Sequence, residues 1–347
     1  MNPLDTVTGA LAEGIDAALE ATVVGSFSRL GYLARRRLFA WDDPASNALA
    51  GRVALITGAS SGLGLATARG LASLGAQVIL LGRDRERTES ARRLITAAVP
   101  GADLDVVIAD LSRLDDGHRA AAEVLEEHER LDVVIHNAGA LSRDFVITDD
   151  GLEQTTQTHV VAPFLLTSLL LPRLVASRAR VITVTSGGMY SARLDLDALA
   201  SPDAESYDGV KAYARAKRAQ VVLNEQWAAR TTGDGVTFAA MHPGWADTPG
   251  VQSSLPAFHR LVGPILRTPE QGIDTTLWLS AEPDLAEANG RLWLDRHRRR
   301  TAHLPGTATS EPDARRLWDW CADRAGIDVL PGSSERPEVG ANPAAFT

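Results

Sequence analysis

From Arg52 onward, short and almost wholly apolar runs alternate with longer segments of helical periodicity. The runs are RVALITG at 52–58, QVILL at 77–81, LDVVIAD at 104–110, LDVVIHN at 131–137, ARVITVTS at 179–186, GVTFAAMHP at 235–243 and GRLWL at 290–294. Apolar residues at successive positions suit strands covered on both faces, and the intervals are long enough for crossover helices. The pattern predicts an α/β fold, a doubly wound parallel sheet of about seven strands.

Ahead of this unit the apolar period changes. Leu11, Ile15, Leu19, Val23, Phe27, Leu30 and Leu33 recur at steps of three or four, with Glu13, Asp16 and Glu20 elsewhere. This predicts one amphipathic helix from Leu11 to Ala34, its apolar face turned to the protein itself, to a second subunit or to a lipid surface. Arg35, Arg36 and Arg37 at its end suit the negative pole of the helix dipole, and equally an anionic membrane. The chain then divides into an N-terminal helical extension (1–50), an α/β domain (51–296), a C-terminal extension (297–330) and a tail (331–347). The Pro, Gly, Ser and Glu content of the tail predicts disorder. No uninterrupted apolar run reaches the ~18–20 residues that cross a bilayer, and the N-terminus lacks a secretory pattern, which leaves peripheral contact as the membrane role.

With 35 Lys and Arg against 44 Asp and Glu, the net charge of −9 argues against a protein that grips a nucleic-acid backbone. The single cysteine, Cys321, can form no internal disulfide and reads as a small buried residue, consistent with a cytoplasmic setting. His297, His303 and the arginines between 296 and 300 lack a carboxylate or thiolate array at metal spacing and read as solvated charge.

The string TGASSGLG at 57–64 falls where the first strand turns into the first helix. Gly58 permits the tight turn, Gly62 lets the backbone approach a pyrophosphate, and Gly64 lets the helix lie close against the strand. The N–H groups around Ser60, Ser61, Gly62 and Leu63 then face the phosphates, the arrangement of a Rossmann-type sheet. At the end of the second strand, where an acidic residue would accept hydrogen bonds from an adenosine ribose, the chain has Gly82 followed by Arg83. A guanidinium pairs with a 2′-phosphate, so NADP(H) is expected over NAD(H). Arg85, Arg87, Arg92 and Arg93 read as a solvated helix face.

These motifs, with Asp110–Leu111, HNAG at 136–139, Ser186, YARAK at 213–217 and HPGWADT at 242–248, run in order over about residues 50–300. The chain resembles the short-chain dehydrogenase/reductase family, and VITVTSGGM, KRAQVVLNEQWA and MHPGWADTPGV resemble one narrower branch of it. The resemblance implies a cofactor site that includes Asp110, Leu111, Asn137, Ala138, Gly139, Pro243, Gly244 and Thr248, with homo-oligomers usual.

The chemistry follows from residue types. A phenol is a poor base near neutrality, and a lysine one turn away favours its ionised form. Tyr213 and Lys217 have that spacing, and Ser186 at a strand end is placed to hydrogen-bond a substrate oxygen. In the family the lysine also binds the nicotinamide ribose. Tyr207 and Lys211 repeat the spacing, but Asp208 and Gly209 bring turn chemistry there, whereas KRAQVVLNEQWA after Lys217 reads as a long helix. His159 stands where the family's fourth catalytic residue, an asparagine, is expected; it either holds the relay water or is a tolerated polar residue. Met189 and Trp245 read as adaptable apolar walls, so the expected substrate is a lipophilic carbonyl or alcohol. A cofactor-binding regulator with little catalysis is the alternative; a sugar-nucleotide epimerase is disfavoured by the glycine spacing.

Overall fold

The computed structural model describes residues 3–328 apart from 140, 304 and 305, so the expected tail lies outside the described residues. One sheet contains β1 (Val53–Thr57), β2 (Gln77–Gly82), β3 (Leu104–Ile108), β4 (Val133–His136), β5 (Arg180–Val184), β6 (Thr237–Met241), β7 (Arg291–Leu294) and β8 (His297–Arg299). The order is β3-β2-β1-β4-β5-β6-β7-β8, parallel from β3 to β7 and antiparallel at the β7–β8 edge. Each of the seven apolar runs supplies one strand. The eighth, three residues of HRR, is too short and too polar to register in a hydrophobic pattern.

The near-continuous apolarity has a direct cause in the pleat. Val53, Leu55, Ile79 and Leu81 face a layer built from the Leu114–Glu127, Ala162–Ser177, Gly209–Arg230 and Glu311–Arg324 helices. Ala54, Ile56, Val78 and Leu80 face the Gly62–Ser73, Arg85–Ala98 and Pro269–Ala281 helices on the other side. The helical stretch Gln154–Ser177, with mean hydropathy 1.8 over its most apolar window, is long and apolar enough to cross a bilayer, a length the sequence reading did not expect. It lies in the fold as a core helix, with Phe164, Leu165, Leu170 and Leu174 buried.

The N-terminal segment departs from expectation. Instead of one helix from Leu11 to Ala34 there are three, Pro3–Glu20, Val23–Phe27 and Arg29–Leu38. The Thr22 side chain caps the second by accepting from the Gly25 N–H at 3.1 Å. Gly31 packs so closely that a Cβ there would lie 2.0 Å from the Gly25 carbonyl oxygen. Apart from Phe27, the buried face is also not the apolar stripe. Leu11 and Leu30 are 65% and 63% exposed, while Arg35 and Asp16 are 0% and 5% exposed.

Ion pairing explains the inversion. Arg35 Nε donates to Asp16 at 2.5 Å and its Nη1 to Asp295 at 2.8 Å, while Arg267 makes two bonds to the same Asp295 carboxylate at 2.5 and 2.9 Å. Arg299 on β8 closes the set through Asp16 at 2.6 Å. Arg296 donates to Asp274 at 2.6 Å. Arg296 and Arg299 are therefore structural cations with buried partners, not the solvated charge the sequence suggested. His297 packs on Phe39 with ring centres 4.0 Å apart, and His303 sits 3.5 Å from Glu20.

Burial would raise the Asp16 pKa, but hydrogen bonds from Arg299 and Arg35 outweigh it and hold the carboxyl at about 2. Breaking a buried pair by removing one partner costs roughly 3–5 kcal/mol, because the other charge is stranded. Asp16→Asn should therefore lower the unfolding free energy by about 3 kcal/mol near neutrality. A depressed carboxylate pKa stabilises above the unfolded value of 3.8 and loses that contribution as pH falls toward about 2. Thermal melts of the variant and the parent should converge across that window.

Candidate active site

The strand order reverses between β1 and β4, and a cleft of about 780 Å³ opens there at the carboxyl ends of the strands. At its floor the chain leaves β1 through Gly58, whose φ of +70° and approach to the Ala138 backbone, 2.8 Å from an added Cβ, both require glycine. Gly64 lies so near the Gly58 carbonyl oxygen that a Cβ would stand 2.1 Å away, which lets the Gly62–Ser73 helix start tight against the strand. Ser61 precedes that helix without a side-chain cap, so its first N–H groups remain available to an anion in the cleft. Asn137 Nδ2 donates to the Thr57 carbonyl at 3.0 Å, and the Asn137 and Ala138 N–H groups donate to Thr57 Oγ1, each at 3.0 Å. This locks the HNAG segment after β4 to the glycine turn.

Ser60, Gly62, Leu63, Arg83, Asp110 and Leu111 line the same cleft. Asp110 is engaged in its own turn, accepting from the Ser112 N–H at 2.9 Å and from its hydroxyl at 2.8 Å. Arg87 also lines the cleft, although the sequence reading placed it on a solvated face. Arg87 is the third residue of the Arg85–Ala98 helix and Arg83 lies just ahead of its Asp84 cap, so both sit at the helix start that borders the cleft. Neither arginine has an ion-pair partner among the described residues. Asp84, the adjacent carboxylate, caps the helix by accepting from the Arg87 N–H at 2.8 Å.

At the other end, Ser186, Tyr213 and Lys217 converge, with His159, Pro243, Gly244, Trp245 and Thr248 around them. Ser186 leaves the end of β5, while Tyr213 and Lys217 lie one turn apart on the Gly209–Arg230 helix. Lys217 is buried, its Nζ donating to the Val184 carbonyl at 2.9 Å and lying 5.4 Å from the Tyr213 ring centre. Tyr207 donates its hydroxyl proton to Glu153 at 3.0 Å, and Lys211 is exposed beside Asp208. Neither lines the cleft, so geometry selects the Tyr213 pair.

Three local expectations change. Met189 is fully buried against Val221, Ala240 and Leu292 and is not part of the cleft wall; the short helical turn Gly187–Ser191 carries it inward. His159 does line the cleft, from a π-helical turn at Gln157–Val161 rather than from regular helix. Its ring stands edge-on to Tyr213 at 5.4 Å, and a Cβ on Gly139 would come within 2.4 Å of it, so the glycine of HNAG makes room for this histidine. Third, the Tyr213 pKa in the ligand-free protein lies above its ordinary value, where the lysine spacing suggested one below it. Burial raises it, opposed by the hydrogen bond with Ser186. The lysine's own pKa is pushed down by burial to about 7, which weakens the cation that would draw the phenol down.

The profile of the short chain dehydrogenase family matches residues 52–194. A Bos taurus protein, dehydrogenase/reductase SDR family member 12, is 38% identical over 302 residues, spanning 86% of this chain and 93% of its own length. The chain belongs to the short-chain dehydrogenase/reductase family. Homo sapiens retinol dehydrogenase 13 is 32% identical over 304 residues, with coverage of 85% and 90%. A solved short chain dehydrogenase from Shigella flexneri, complexed with NADP, matches at TM-score 0.59 and 25% identity, covering 73% of this chain and all of that one. As a short-chain dehydrogenase/reductase this protein is an oxidoreductase of CH–OH and C=O groups. The glycine cradle and the uncapped helix start fit the family's nicotinamide dinucleotide.

Lysine charged in the unfolded chain up to about 10.5, but in the fold only up to about 7, destabilises the ligand-free protein below that lower value. The penalty lifts as pH rises between the two. Relative to Lys217→Met, the ligand-free parent should gain thermal stability steadily from about pH 7 to about pH 9. A constant difference in melting temperature across that range would contradict the burial-driven shift.

Proposed function

We propose that the protein is an NADP(H)-preferring reductase or dehydrogenase of a lipophilic small molecule. The observation that carries the reading is the convergence of Ser186, Tyr213 and Lys217 at one end of a cleft whose other end holds Arg83 and Arg87, neither with an ion-pair partner among the described residues. Arg83 and Arg87 together offer a bidentate grip on a 2′-phosphate, and Asp84 is turned to capping. The bound dinucleotide supplies or accepts hydride. Tyr213, its pKa raised by burial, holds its proton and suits donation to a carbonyl oxygen, the reductive direction. Ser186 orients that oxygen by hydrogen bonding, and Lys217 and His159 flank the phenol from beneath and from the side.

Beyond the phenol the cleft is walled by Leu141, Val210, Trp245, Val251, Leu255 and Phe258, a lining that favours an apolar substrate over a charged one. The name of the retinol dehydrogenase relative agrees with a lipophilic alcohol or aldehyde. The exposed Leu11, Val23, Val24 and Leu30 support extending the reading to peripheral contact with a lipid surface, tested by sedimentation with phosphatidylserine vesicles.

Fluorescence titration tests the cofactor. NADPH should bind at least about tenfold more tightly than NADH, and Arg83→Ala or Arg87→Ala should each weaken NADPH by about tenfold while leaving NADH unchanged. Equal affinity for both dinucleotides in the parent would overturn the preference. Tyr213→Phe should abolish turnover in a screen of apolar aldehydes with NADPH binding intact. Full activity in that variant would remove the assignment.

A further inference from the structure

The N-terminal segment reaches the back of the active site through one residue. Phe27 is buried and does not itself line the cleft, yet it touches both loops that do at the reacting end. Its ring packs on His242 at 4.6 Å and on Trp245 at 6.1 Å, centre to centre. A Cβ on Gly187 would fall 2.5 Å from that ring, so the residue after Ser186 rests directly on it. The Phe27 carbonyl accepts from the Trp245 N–H at 2.8 Å and from Arg267 Nε at 3.0 Å. Gly244, with φ +68°, has no room for a side chain because Phe27 O and Arg267 Nε would stand 2.6 and 2.4 Å from it.

The support behind Phe27 is rigid. Arg267 exchanges backbone hydrogen bonds with the same loop, its N–H donating to the Trp245 carbonyl at 2.7 Å and its carbonyl accepting from Asp247 at 2.8 Å. Its guanidinium and that of Arg35 both donate to the Ser26 carbonyl at 2.9 Å and to Asp295. The backbone at Ser26–Phe27 is thus fixed by buried cations from both sides, and the loop at Pro243–Trp245 hangs on it.

We propose that Phe27 is a positioning residue that sets the two loops, Ser186–Gly188 and Pro243–Trp245, against Tyr213 so that the nicotinamide end of the cofactor is held. The N-terminal helices are in that sense part of the active site. This rests on the dinucleotide reading given above.

The test separates the two ends of the cofactor by calorimetry and fluorescence, with 2′,5′-ADP reporting the arginine end alone and NADPH reporting both. Phe27→Ala should weaken NADPH about tenfold and remove the emission shift of the bound nicotinamide, leave 2′,5′-ADP within about twofold, and be largely rescued in Phe27→Leu. Gly187→Ala should weaken NADPH about tenfold in the parent but not further in the Phe27→Ala background, because the clash partner is gone. Parallel weakening of both ligands, unchanged NADPH binding, or additive effects of the two substitutions would overturn the role of Phe27. A parent that binds NADPH no more tightly than 2′,5′-ADP would instead overturn the reading of the reacting end on which the proposal rests.

Discussion

A parallel sheet that is wound in both directions must open where its strand order reverses, because the loops leaving β1 and β4 turn to opposite faces. Everything chemical in this protein is arranged around that opening. Gly58 and Gly64 keep its floor low, Asn137 and Thr57 stitch its two sides together, and Ser186 and Tyr213 rise from neighbouring elements at its far end. The reversal sets the loops after β1 and β4 apart to form the cleft, so the sheet order is a condition for the site.

The second constraint is electrostatic. Asp295, 2% exposed and in the left-handed backbone region, lies between Arg35 and Arg267. Burial opposes its charge, but the two guanidiniums hold its carboxyl below the ordinary range. An ion set of this kind contributes little net stability compared with apolar packing, yet it tolerates no missing member. What it contributes is place. The N-terminal helices are fixed by geometry rather than by their apolar residues, which remain largely outside.

The strands and the cleft were legible because their signals are local. A glycine that must adopt positive φ, an apolar run that feeds two layers, and a tyrosine and lysine one turn apart leave marks within a few residues. Asp16 and Arg35 left none, since a charged residue on a helix is read as solvated until its partners, 19 and 260 residues from Arg35, are known. Arg87 was hidden among other arginines on its helix, and only its place in the first turn, next to the cleft, distinguishes it. Met189 failed for the opposite reason: its loop borders the cleft, but the turn Gly187–Ser191 points it into the core. Phe27 looked like one member of an apolar stripe, and nothing in the sequence marks its carbonyl as an acceptor for Trp245.

The long reach of the Arg35 pair also bears on how the chain must close on itself. During synthesis the segment bearing Arg35 emerges before the sheet, whereas Arg267, Asp295 and Arg299 follow only after most of it has been made. Closing contacts of such sequence separation carries an entropic cost that grows with loop length, and many of them slow folding. The loop at the reacting end therefore depends on a contact between Phe27 and Arg267, 240 residues apart in the chain.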